Sequence, residues 1–72
     1  MSDTSQSVAK VTEISARSPK SFDDAMQVGI TRASKTLRNI NAAWVKEQRV
    51  VVKNGKITAY QVNMAVTFTL DE

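Results

Sequence analysis

Trp44 and Gln61 are the side chains with the most to offer a small aromatic molecule. Trp44 is the single tryptophan of the chain. An indole on a polar surface calls for a ligand or another subunit over it. Gln61 carries a donor and an acceptor on one amide, which suits the edge of a heterocycle bearing both functions; its plainer role is a solvated strand residue. Catalysis has poorer material. Histidine and cysteine are absent, the serines have no evident base beside them, and no glycine-rich phosphate loop occurs. The acids Glu13, Asp23, Asp24, Glu47, Asp71 and Glu72 are scattered and read as solvated or helix-end charges. The chain does not read as an enzyme.

The cations form a looser pattern. Arg32, Lys35 and Arg38 fall on successive helical turns, and Lys46, Arg49, Lys53 and Lys56 surround a hairpin. With a net charge of +3, weak attraction to anions follows. A solvated helix face and a soluble hairpin tip account for these charges. No aromatic pair interleaves them as a base-stacking platform requires, so a basic nucleic-acid-binding module is the weaker reading.

The elements that position these residues follow from periodicity. From Tyr60 to Leu70, apolar Tyr60, Val62, Met64, Val66, Phe68 and Leu70 alternate with Gln61, Asn63, Ala65, Thr67 and Thr69. Period two over that length predicts a long strand with one apolar and one polar face. Asn54-Gly55 before it predicts a two-residue type I′ turn, with a partner strand from Ala42 to Lys53. In that strand, plain alternation places Ala42, Trp44, Lys46 and Gln48 on one face, opposite Val45, Glu47 and Arg49. Val8 to Ala16, rich in β-branched residues, predicts a first, shorter strand, followed by a turn at Ser18-Pro19. Ser21 then fits an N-cap, with Asp24 three residues on as a capping-box-like partner. Phe22, Met26, Gly29, Ile30, Ala33, Leu37 and Ile40 recur at helical spacing, predicting a helix that runs to Asn39–Asn41 and carries Lys35 and Arg38 in its last turn. Ala25, Gly29 and Ala33 make a row of small residues that lets this helix lie close on a sheet.

The order is therefore β-α-β-β, an α+β fold: a three-stranded antiparallel sheet in the order 1-3-2, curled around one helix. Met1 to Ser7 reads as a disordered tail and residues 8–72 as one domain. A chain of 72 residues is marginal alone, burying roughly 60% of its unfolded surface. Without cysteine it has no disulfide to assist, and its two long sheet edges are not obviously blunted. Both features favour self-association. No apolar run approaches the length of a membrane span, and the lack of cysteine suits the cytoplasm.

The β-α-β-β order, the run Ser34-Lys35-Thr36-Leu37-Arg38-Asn39, then Val45-Lys46-Glu47-Gln48-Arg49, Asn54-Gly55-Lys56, Tyr60-Gln61-Val62 and the closing Phe68-Thr69-Leu70-Asp71-Glu72 resemble the dodecins, small flavin-binding proteins. The resemblance covers roughly Val8 to Glu72. It implies a hollow homododecamer of cubic symmetry that binds riboflavin, FMN or FAD without catalysis, as a store. It also implies flavins stacked in pairs between tryptophans near two-fold axes. Gln61 matches the family glutamine that hydrogen-bonds the isoalloxazine edge. Arg49 matches an arginine after the second strand that meets phosphate or a neighbouring subunit. The family's stacking tryptophan falls at Ala42 and the phenylalanine after it at Ala43. Trp44 stands where a glutamate is usual, and Val50 replaces a glycine. The expected flavin site is thus Gln61, Trp44, Arg49 and the surface at Ala42. The alternative is a shell of the same kind that does not stack flavin and holds another small ligand or ion.

Overall fold

A computed structural model describes residues 8–70; the expected N-terminal tail lies outside the described residues. The elements are β1 (Ala9–Ser18), α1 (Phe22–Ala33), β2 (Ile40–Lys53) and β3 (Lys56–Thr69). They form one antiparallel sheet in the order β1-β3-β2, as the sequence predicts. The two-residue turn is present. Asn54 and Gly55 both have positive φ, 53° and 78°, as a type I′ turn requires.

The apolar face of β3 is the core. Val62, Met64 and Val66 are 0% exposed. Helix α1 lies over β1 and β3 and presents Ala25, Gly29 and Ala33 as its buried residues. The small row brings the helix very close. A Cβ on Gly29 would sit 2.8 Å from Met64 Cε and 3.0 Å from Ala16 Cβ, so the absence of a side chain there is what allows the contact. Ile14, Phe22, Met26, Ile30 and Val45 close the margins, and the Phe22 ring meets Tyr60 edge-on at 5.1 Å. The helix is shorter than the strands, and apolar residues outside its footprint stay exposed, Val52 and Ile57 by more than half.

The entry to α1 follows half of the expected capping box. Asp24 N donates to Ser21 Oγ at 3.0 Å. The Asp24 carboxylate, instead of reaching back to the cap, accepts from the buried Ser18 hydroxyl, which itself accepts from Lys20 N at 2.9 Å.

Two expectations are corrected. First, the helix ends at Ala33, not at Asn39–Asn41. Ser34 Oγ donates to Ile30 O at 2.8 Å, and the N–H groups of Thr36 and Leu37 both turn back to Ala33 O. Hydroxyl side chains compete for helical carbonyls in this way and favour a turn. Arg32, instead of Lys35 and Arg38, is the cation in the last turn. The chain then passes through Asn39, whose φ of 63° is the left-handed conformation asparagine tolerates. This residue leads into β2, so Ile40 begins a strand and does not end a helix.

Second, alternation in β2 is broken. Trp44 pairs with Ala65 and Val45 with Met64, but Glu47 pairs with Asn63, so the register skips Lys46. This β-bulge puts two residues opposite one and reverses the parity from Glu47 to Val51, where the register shifts again. Glu47 and Arg49, opposite Asn63 and Gln61, join Trp44 and Ala42 on the face turned away from the helix. Gln48, opposite buried Val62, moves to the helix side.

Candidate functional site

The outer face of the sheet is where the polar residues of all three strands meet. Gln61, in β3, stands directly opposite Arg17 of β1 and Arg49 of β2. Its amide is held laterally. Arg17 Nη2 donates to Gln61 Oε1 at 3.0 Å, and Gln61 Nε2 donates to Ser15 Oγ at 3.1 Å and to Asn63 Oδ1 at 3.4 Å. Asn63 Nδ2 in turn donates to Glu47 Oε1 at 3.0 Å. Further along, Thr67 Oγ1 donates to Asn41 Oδ1 at 3.0 Å, and the Asn41 amide donates to Thr69 Oγ1. The polar alternation of β3 thus becomes a ladder of amides and hydroxyls reaching both flanking strands.

A charge pair crosses this face. Lys46, the bulged residue, reaches Glu13 on the far strand at 2.8 Å. The hydrogen bond from Lys46 to Glu13, then the Glu13 charge, hold the ammonium above its ordinary pKa. Glu47 adds to this, and partial loss of water opposes it. Glu13, Lys46, Glu47 and Asn63 line a shallow depression of roughly 270 Å³. A larger open cleft of roughly 680 Å³ lies between β1 and α1, lined by Ile14, Ala16, Val28, Gly29 and Leu37 among others. Its lining mixes these groups with Thr12, Ser15, Arg17, Arg32 and Thr36, so Ser15 and Arg17, on the edge strand, border both this cleft and the outer face.

The four residues expected to form a site are all on this face. Gln61 and Arg49 are brought together. Trp44 is 48% exposed and lies one strand repeat along from Ala42. Trp44 is opposite Ala65, four positions from Gln61 on β3, or about 13 Å along the strand. Trp44 and Gln61 therefore share a surface without touching. Sequence reasoning missed Arg17, Ser15 and Asn63 as neighbours of Gln61. The parity of β1 carried the signal, since Ser15 and Arg17 alternate with Ile14 and Ala16. Among the described residues, no group of three or more aspartates and glutamates could hold a metal ion, and no helix is long and apolar enough to cross a membrane.

The family model for Dodecin matches residues 8–71. The chain belongs to the dodecin family. It is 35% identical over 65 residues to a dodecin of Thermus thermophilus, covering 90% of this chain and 94% of that one. It superposes on the structure of dodecin from Streptomyces davaonensis with a TM-score of 0.87 at 42% identity, over 92% of this chain and 97% of the other. It also matches a structure described as the calcium chelating immunodominant antigen, calcium dodecin, from Mycobacterium tuberculosis. There the TM-score is 0.77 at 35% identity, over 90% and 93% of the two chains. The expected β-α-β-β fold is the fold of these structures. The family assignment covers the whole outer face described above.

Proposed function

We propose that the protein is a non-catalytic flavin-binding store of the cytoplasm, assembled as a hollow homododecamer. The observation that carries this reading is the outer face itself: a half-exposed indole, a hydrogen-bonding amide and two arginines on one surface, one of them, Arg49, turned there by the bulge at Lys46. A flat ring laid along this surface would meet Trp44 with its plane and Gln61 with its edge. Arg49 serves the same surface, against the ligand or against a neighbouring subunit. Exposed Val11, Val28, Val52 and Ile57, together with the small size of the chain, support assembly.

A second reading is favoured by Ala42, a methyl group where the family stacks a tryptophan. In that reading the shell takes another small ligand or an ion, as the name of the calcium-binding relative indicates for that protein. One titration separates the two. Riboflavin and FMN are added to the assembled protein while Trp44 fluorescence is followed. The flavin reading expects saturable quenching in the wild type, and an affinity, read from flavin fluorescence in both proteins, that Trp44→Ala weakens by about fivefold or more, the worth of an aromatic stack. Absence of saturable quenching and of a flavin absorption band in the purified protein leaves the second reading. Light scattering is expected to give a mass near twelve chains, and a folded monomer at micromolar concentration would refute the assembly.

A further inference from the structure

Gln61 offers one amide to the outer face. In this chain its amide is not free to turn. Its oxygen is fixed toward β1 by Arg17 at 3.0 Å, and its nitrogen toward Ser15 and Asn63 at 3.1 and 3.4 Å. A guanidinium has five N–H groups in a rigid fork, and Arg17 is exposed, so N–H groups beyond the one given to Gln61 are there for a ligand. The amide oxygen has a second lone pair. The longest bond, to Asn63, is the one a ligand carbonyl would displace most easily. Read across the face, the row is donor on Arg17, acceptor on Gln61 Oε1, donor on Gln61 Nε2.

That sequence complements a cyclic imide, which presents carbonyl, N–H, carbonyl. We propose that Arg17 is a second recognition residue of this site. It sets the orientation of the Gln61 amide and donates to one carbonyl of the ligand, so that the pair selects a ring with an intact imide edge. This inference rests on the flavin-binding reading and adds to it the residue and the ligand feature that decide specificity. Arg17 is suited to the task by position: it is the residue of β1 directly opposite Gln61, and its side chain shares the outer face with Ser15.

The test compares three probes, riboflavin, FMN and N3-methylriboflavin, on the assembled wild type and on Arg17→Ala and Arg17→Lys. Affinity is read from quenching of flavin fluorescence, and folding from circular dichroism and mass. The wild type is expected to bind riboflavin at least tenfold better than the N3-methyl probe, the scale of leaving the Gln61 Oε1 acceptor without its donor. Arg17→Ala should weaken riboflavin and FMN by the same factor, about tenfold, and shrink the preference over the N3-methyl probe. Arg17→Lys keeps the charge but not the fork and should not restore that preference. Unchanged riboflavin affinity in folded Arg17→Ala overturns the inference while leaving flavin binding intact. So does a loss confined to FMN, which would make Arg17 a counter-charge for phosphate. A wild type that binds none of the three probes overturns the flavin reading and this inference with it.

Discussion

The two faces of β3 are built on different physics, although they share one backbone. Toward α1, Val62, Met64 and Val66 are sealed by packing against a helix that approaches through Gly29. Away from it, Gln61, Asn63 and Thr67 are each held by side chains of a flanking strand. Burial is non-directional and leaves the orientation of each side chain to packing. A ladder of amides tolerates none, because each donor needs one particular acceptor opposite. The inner face therefore carries the stability and the outer face the discrimination, and a substitution should affect one without the other.

The largest break in that separation should come from Met64→Ala. It removes a fully buried side chain beneath Gly29, and the cavity should lower stability by about 2–5 kcal/mol, read by urea unfolding of the assembled protein. Affinity of the remaining folded protein for riboflavin should stay within a few-fold of wild type; a collapse of binding without loss of stability would mean the faces are not separable. Gly29→Ala should cost less. The added methyl group meets Met64 Cε and Ala16 Cβ, and overpacking of about 1–3 kcal/mol is offset by about 1 kcal/mol of helix propensity. A net loss of about 1 kcal/mol is expected, and a gain in stability would show that the helix can back away from the sheet.

The smallest effect belongs to the outer face. Glu13 raises the pKa of Lys46, so the folded state holds this proton more tightly than the unfolded chain does. The resulting stabilisation is complete below the ordinary lysine value of about 10.4 and disappears as pH rises through the raised folded value. Glu13→Gln should therefore lower the unfolding midpoint slightly at pH 8, and the gap from wild type should narrow by pH 11. A gap that widens with pH would reverse the assigned sign.

Much of this architecture was legible in the sequence because it depends on local rules. Asn54-Gly55 specified the turn, the alternation from Tyr60 specified β3, and Ala25, Gly29 and Ala33 marked the helix face that meets the sheet. The failures also have local causes. Leu37 and Ile40 continue the helical period by coincidence; Leu37 belongs to a turn and Ile40 to β2, while Ser34 and Thr36 signal the stop. Arg17 was hidden by Ser18-Pro19, which reads as a turn although β1 runs through Ser18. The bulge had no signal at all. Neither glycine nor proline marks Lys46, and only the pairing with β3 reveals that the count has slipped.

That slip decides which face the second half of β2 presents, in a way that its composition does not suggest. Trp44 and Arg49 are an odd number of positions apart, yet they share a surface, which a regular pleat forbids. Deleting Lys46 would leave a strand with a smoother hydrogen-bond ladder and nearly the same amino-acid content. Arg49 would stay opposite Gln61, because the pairing already skips Lys46; a regular ladder that kept Lys46 would instead turn Arg49 to the helix side. The bulge at Lys46 thus brings two halves of a strand that are out of phase in sequence onto one surface, whatever side chain the extra residue carries.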